Sequence, residues 1–240
     1  MTAAAEATAV IAAAGMGERL GAGTPKALVE IAGRPLAAWC LDAFVDAGSV
    51  GAIVVAAPPG HERELEQLAP AGVPYEVLPG GTSRAESVAN ALERVGTETV
   101  AIHDAARPLV TAALVDELLA RLAERPGAAG VIAAAPILET VKRACEPRAQ
   151  PGAPQPELAV AGTEGREYLW AAQTPQVFRV GALREALVAD PGRVAAATDE
   201  AMLVEQAGGR VLLHPSTARN LKVTTSEDLR VAELLLGRTA

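Results

Sequence analysis

Short apolar runs alternate with longer amphipathic stretches through the first half of this chain. The runs Val10–Ala13, Ala52–Ala56, Tyr75–Leu78 and Thr99–Ile102 read as buried strands. Between them Pro35–Ala47, His61–Leu68 and Ser83–Val95 carry the longer spacing of helices. Pro35 suits a first helical turn, and Ser83 can cap the helix after it. This βαβ rhythm predicts a mostly parallel sheet with helices on both faces. A further helix at Ala112–Glu124 leads into another buried strand at Gly130–Ala135.

The rhythm breaks between Ala144 and Gly165. Four prolines fall between Pro147 and Pro156, and they exclude both a regular helix and a central strand. The flanks Glu139–Arg143 and Glu157–Ala161 can pair as a hairpin arm, about 139–166, projecting from the domain. A plain surface loop is the alternative. Excursions of this length inside a compact domain usually serve function or interaction, and contact with a second copy of the chain is the expected role. After the arm come the segment Tyr168–Phe178, helices at Gly181–Ala189 and Thr198–Gln206, and a strand at Arg210–Leu213. A final helix at Ser226–Leu236 opens with a capping box, Thr225 and Asp228 standing three apart.

Composition narrows the class. Half of the 240 residues are hydrophobic but only 2% are aromatic, so Ala, Val, Leu and Ile must fill the core. No apolar run reaches the ~20 residues of a membrane span, and the N-terminus lacks the cationic and apolar regions of a signal peptide. Cys40 falls in an apolar helical segment and Cys145 in a polar one, which suits a reduced cytoplasmic setting. A net charge of −8 weighs against a nucleic-acid surface but leaves room for a nucleotide site with a few local cations. One domain covering 1–240 is expected, with no fused second enzyme after the last helix.

Five segments carry candidate chemistry. Ala12-Ala13-Ala14-Gly15-Met16-Gly17-Glu18-Arg19-Leu20 follows the first strand, with Thr24-Pro25-Lys26 close behind. Small residues and glycines there let backbone N–H groups approach an anion, and Arg19 and Lys26 add charge. The G-x-G lacks the third glycine of a dinucleotide turn and the Gly-Lys-Ser/Thr ending of a Walker loop. Gly80-Gly81-Thr82-Ser83-Arg84-Ala85-Glu86-Ser87 again sets glycines between a strand and a helix N-terminus, where free N–H groups attract anions. His103-Asp104-Ala105-Ala106-Arg107-Pro108 puts Asp104 at the carboxyl edge of the sheet, where a carboxylate suits Mg²⁺ bridging phosphates. His103 by itself reads as structural. The last two segments are Gln173-Thr174-Pro175-Gln176 and Asn220-Leu221-Lys222-Val223-Thr224, while Thr198-Asp199-Glu200 reads as a helix start capped by Thr198. Each segment also has a bland reading as a surface loop, a cap or a solvated cation.

Together, and in this order, the segments resemble the 2-C-methyl-D-erythritol 4-phosphate cytidylyltransferases of non-mevalonate isoprenoid synthesis. The resemblance runs from residue 9 to about 230, and H-D-A-A-R-P and N-L-K-V-T are its most specific parts. It implies an α/β fold: an open, mostly parallel, Rossmann-like nucleotidyltransferase sheet with a projecting β-hairpin arm. It implies in-line attack of an alditol phosphate on the α-phosphorus of CTP, with divalent metal (Mg²⁺), release of pyrophosphate and a homodimer formed through the arm. On this resemblance Arg19, Lys26, Arg166 and Lys222 are catalytic. Ala13, Ala14, Gly15, Gly17, Gly81, Arg84, Ser87 and Asp104 bind CTP, and Asp104 also faces the metal. Arg107, Thr140, Arg166, Thr174 and Lys222 match the acceptor pocket, which a partner's arm would complete. The chain departs from the family pattern at Ala27, where glutamine is common, and at Thr82, where an acid is common. Competing readings are a cytidylyltransferase for another alditol phosphate such as ribitol 5-phosphate, an NAD(P)-dependent oxidoreductase, and a non-catalytic nucleotide-binding regulator.

Overall fold

The computed structural model describes residues 7–17, 20–21, 23–146, 158–189, 194 and 197–237. In chain order the elements are β1 (Ala7–Ala12), a single 3₁₀ turn (Lys26–Leu28), β2 (Glu30–Ile31), β3 (Arg34–Pro35), α1 (Leu36–Val45), β4 (Val50–Ala57) and α2 (Glu62–Glu66). Then come β5 (Tyr75–Pro79), α3 (Arg84–Leu92), β6 (Thr99–Asp104), α4 (Ala112–Ala123), β7 (Gly130–Pro136), β8 (Lys142–Ala144) and β9 (Val160–Thr163). The chain closes with β10 (Trp170–Arg179), α5 (Val180–Ala189), α6 (Glu200–Gln206), β11 (Val211–Pro215) and α7 (Ser226–Leu236).

Seven strands form one sheet in the order β11-β7-β10-β6-β1-β4-β5. β1 pairs in parallel with both β4 and β6, β4 with β5, and β11 with β7. β10 runs antiparallel to both of its neighbours. The mostly parallel α/β sheet expected from the sequence is thus present. From β1 the chain winds outward through β4 and β5, then returns to the other side of β1 as β6. That reversal opens a crevice beyond the carboxyl ends of β1 and β6, where ligands of open α/β sheets bind.

Successive side chains of a strand point to opposite faces, and β1 divides the core accordingly. Ala9 and Ile11 pack with Cys40 and Phe44 of α1 and Leu118 and Leu122 of α4. Val10 faces the other way, into the cluster of Val88 and Leu92 of α3, Leu183 of α5 and Val204 of α6. Both faces are covered, which is why these strands read as unbroken apolar runs. A smaller cluster of Val29, Ile31, Leu36, Val223 and Ala232 ties the segment after Lys26 to α7 and to the segment carrying Lys222.

Most boundaries fall within a few residues of their expected places. α7 has the expected span, and Thr225 and Asp228 form the capping box. Ser83 caps α3 by accepting from the Glu86 N–H. Three readings are corrected. Pro35 is the N-cap of α1 with ψ 144°, not part of its first turn. Asp199, not Thr198, caps α6, its carboxylate accepting from the Met202 N–H. Both arm strands lie later in the chain than expected, Lys142–Ala144 pairing with Val160–Thr163, where Lys142 meets Thr163 across the ladder and Arg143 meets Glu164. The proline-rich tip, 147–157, lies outside the described residues.

Candidate active site

The crevice at the switch point is a cleft of about 490 Å³. One wall is the segment from Ala12 to Gly17 with Lys26, and a second is Gly81 to Arg84 with Ser87. Asp104 to Ala106, Lys222 and Thr224 close the far side. Ala13, Ala14, Gly15, Gly17, Lys26, Gly81, Arg84, Ser87, Asp104 and Lys222 therefore meet in one place, although up to about two hundred residues of chain separate them. Arg19 lies outside the described residues.

Local geometry explains the small residues. The Lys26 N–H donates to the Gly15 carbonyl at 3.0 Å, closing the loop back on itself. Gly17 sits between these ends at φ +70°, and a Cβ there would lie 3.1 Å from the Lys26 Cβ. Only glycine adopts that backbone readily. At Gly80 a Cβ would fall 2.5 Å from the Ala14 Cβ, so the two walls of the cleft touch through a missing side chain. Ser87 holds the neighbouring turn: its hydroxyl accepts from the Gly81 N–H at 3.0 Å and donates to the Ser83 carbonyl at 2.8 Å.

A chain of alternating charges crosses the cleft floor. Lys222 Nζ lies 2.7 Å from Asp104 Oδ2, and Arg84 Nε lies 2.9 Å from Asp104 Oδ1. Arg84 NH1 also meets Glu200 at 2.6 Å. Asp104 and Glu200 are buried, while Lys222 keeps 42% of its side chain exposed toward the cleft. Burial opposes the charge on Asp104, yet Arg84 and Lys222 together hold its carboxyl below the usual carboxylate range. Burial pushes the Glu200 carboxyl up, with Arg84 pulling against it.

Beneath this chain lies a buried polar frame. The Asp104 N–H donates to Thr174 Oγ1 at 3.1 Å, and Thr174 Oγ1 stands 3.1 Å from His103 Nδ1. His103 Nε2 lies 3.2 Å from the Arg107 carbonyl, which can only accept. Nε2 therefore carries a proton, and burial keeps the ring neutral near pH 7, so that Nδ1 accepts from Thr174. Asn220 Nδ2 donates to Gln173 Oε1 and to the Thr174 carbonyl, and Arg107 NH1 donates to the Asn220 carbonyl. Gln176 Nε2 donates to Asp199, while Gln176 Oε1 accepts from the Ala201 N–H. The Thr-Pro-Gln segment thus links the Lys222 segment, Asp104 and the start of α6.

Thr174 and Arg107, expected in an acceptor pocket, do not line this cleft. Thr174 is buried under Asp104, because its hydroxyl is held between a backbone N–H and the His103 ring. Arg107 is turned toward the Asn220 carbonyl. Thr140 is exposed at the base of the arm, as is Arg166, which donates to the Leu138 carbonyl; within one chain neither reaches the cleft. Sequence reasoning assigned no role to Glu200, Gln173, Gln176 or Asn220.

The donor set bears on the metal. Among the described residues no three His, Cys, Asp or Glu side chains converge. Asp104 accepts from two cations, whereas a carboxylate offers about four lone-pair sites. Mg²⁺ is commonly held by one or two carboxylates plus substrate phosphates, so Asp104 fits that mode.

The neutral His103 makes stability depend on pH. Burial, with smaller contributions from the Arg107 and Arg84 charges, lowers its pKa to about 4, against opposing pulls from the Asp104 carboxylate and the hydrogen bond to the Arg107 carbonyl. The unfolded chain binds this proton below about pH 6.5 and the folded chain does not, so the stabilisation is full above 6.5 and is lost as pH falls toward 4. Urea unfolding at pH 4.5 should show roughly 2–3 kcal/mol less stability from this group than at pH 7.5. His103→Gln should remove that part of the decline, and an identical decline in the variant would refute the assignment.

A profile of the 2-C-methyl-D-erythritol 4-phosphate cytidylyltransferase family matches residues 7–238. The enzyme of that name from Streptomyces avermitilis is 41% identical, with 96% of this chain and 91% of the relative covered. Its counterpart from Prochlorococcus marinus is 38% identical over 96% of this chain and 98% of the relative. The crystal structure of the Thermus thermophilus enzyme of the same name superposes with a TM-score of 0.74 at 33% identity, covering 96% of this chain and 98% of that one. On the motifs gathered in the cleft and on these matches, the chain belongs to the 2-C-methyl-D-erythritol 4-phosphate cytidylyltransferase family.

Proposed function

We propose that this protein joins CTP to 2-C-methyl-D-erythritol 4-phosphate, forming 4-diphosphocytidyl-2-C-methyl-D-erythritol and pyrophosphate. A phosphate oxygen of the acceptor attacks the α-phosphorus of CTP. The bond from that phosphorus to the β-phosphate oxygen breaks, and its electron pair leaves with pyrophosphate. The observation that carries this reading is a cleft with Lys26 on one wall and the Asp104–Lys222 pair on the other. Family membership sets aside the oxidoreductase reading.

Catalysis here is positioning and charge neutralisation. Backbone groups of Ala13, Ala14 and Gly81, with the turn fixed by Ser87, hold the cytidine. Lys26 faces the triphosphate, a role that the family resemblance also gives to Arg19, and Lys222 turns from Asp104 to the attacking phosphate. Mg²⁺, held by Asp104 and by phosphate oxygens, would supply further neutralisation of the triphosphate. Arg166 and Thr140 reach the acceptor from a second copy of the chain, and Arg107 and Thr174 support the pocket from below. The exposed apolar residues Leu138, Leu158, Val160 and Tyr168 on or beside the arm favour such a homodimer. The two free thiols, Cys40 and Cys145, favour a cytoplasmic setting. No described helix is long and apolar enough to cross a membrane.

The decisive assay is pyrophosphate release from CTP with methylerythritol phosphate and ribitol 5-phosphate in parallel. Turnover with ribitol 5-phosphate alone would overturn the acceptor assignment. Arg166→Ala should raise the acceptor KM by about tenfold or more, the typical cost of one charge-assisted hydrogen bond, with CTP affinity unchanged by calorimetry. Lost CTP affinity at constant acceptor KM would contradict its placement. Mixing Arg166→Ala with Lys26→Ala chains should restore activity if the arm acts across a dimer.

A further inference from the structure

Glu200 lies outside the cleft lining yet stands at the end of the charge chain that crosses it. It is the first residue of α6 and is 1% exposed. Its two carboxylate oxygens lie 2.7 and 2.6 Å from Arg84 NH1. Its position is fixed from behind: Gln176 bonds both the Asp199 cap and the Ala201 N–H, the residues on either side. A buried carboxylate held this firmly costs desolvation, and core packing alone supplies no reason for it.

The four groups alternate in sign, Glu200, Arg84, Asp104, Lys222, and their formal charges cancel. Arg84 is shared between a carboxylate that touches the cleft and one that does not. With Glu200 neutral, the chain gains one net positive charge, and Arg84 is left with Asp104 as its sole anionic partner. Asp104 then gives more of its charge to Arg84, and Lys222 loses its fixed starting point opposite the attacking phosphate.

Resting on the transferase reading above, we infer that Glu200 is a positioning residue of the reaction, acting through Arg84 to fix Asp104 and Lys222 at the cleft. It touches neither substrate. The rigid start of α6 serves as the outer anchor of the cleft floor.

The test is a double-mutant cycle between Glu200→Gln and Arg84→Met on the full-length protein. It is read by kcat, by the acceptor KM and by calorimetric CTP affinity. Glu200→Gln keeps size and shape but removes the charge. It should lower kcat roughly tenfold, raise the acceptor KM several-fold and weaken CTP binding several-fold, with Glu200→Asp closer to wild type. In the Arg84→Met background the same change should have almost no further effect, because contacting residues on one path are not additive. Calorimetry reports on the inference even if turnover is absent, whereas wild-type turnover alone decides the transferase reading. Wild-type parameters in Glu200→Gln would overturn the inference. So would a kcat loss at constant KM and CTP affinity that follows the folded fraction, or an equal loss in both backgrounds. If Glu200→Gln does not fold, the cycle is run with Glu200→Asp, and additivity there overturns it as well.

Discussion

Lys26→Ala should lower turnover by about a hundredfold or more while leaving the fold intact, since removing one group that stabilises transition-state charge costs on the order of 3 kcal/mol. The structure gives the reason for both halves of that expectation. The position of Lys26 depends on its backbone: its N–H is bonded to the Gly15 carbonyl, and the following Ala27 is buried. Alanine keeps both features and suits the short 3₁₀ turn that begins there. The substitution therefore keeps the backbone of the loop in place and removes a charge from the cleft lining. Circular dichroism should superpose on wild type, and CTP should still bind through the backbone groups of Ala13, Ala14 and Gly81. Near-normal kcat would remove Lys26 from the mechanism. A collapse of CTP affinity with kcat preserved at saturation would make it a ground-state anchor instead.

The sheet and its helices were largely legible because a parallel sheet covered on both faces leaves its mark as unbroken apolar runs such as Ile53–Ala57 between amphipathic helices. The direction of β10 was less plain, although a clue was present. The connection from β7 to β10 runs through the arm, with no crossover helix among its described residues, and parallel neighbours need such a crossover. The segments that line the cleft were also readable, since glycines and cations after strand ends follow local backbone physics. Their division of labour was not. Thr174 was expected in the acceptor pocket, and its bonds to Asp104 and His103, 70 and 71 residues away, are recorded in no local pattern. Glu200 follows a capping aspartate, where an exposed acid is ordinary. Its burial follows from Arg84, 116 residues distant, a pairing that no local pattern records.

Asp104→Asn should be the most damaging single substitution, in stability and activity together. Asp104 is 6% exposed and accepts from Arg84 and Lys222 through different oxygens. An amide can accept through its oxygen alone, and its nitrogen would face a cation. Removing one partner of a buried ion pair typically costs about 3–5 kcal/mol. The loss here should sit near the lower end, because Arg84 retains Glu200 and Lys222, half-exposed, can turn to water. About 3 kcal/mol corresponds to a fall in Tm of roughly 10 °C for a chain of this size. Activity should fall beyond a hundredfold, as Lys222 loses its anchor and any Mg²⁺ its protein carboxylate. The acid limb of stability distinguishes this account from simple misfolding. Asp104 titrates lower in the folded chain than in the unfolded one, so its stabilisation is present above the unfolded carboxylate range and is lost as pH falls below it. His103 acts higher, between about 6.5 and 4. Asp104→Asn should therefore keep the decline centred on His103 and lose the steeper one beneath it. A variant that unfolds with the full wild-type acid profile, or one that retains kcat within fivefold, would show that Asp104 is not the centre of the site.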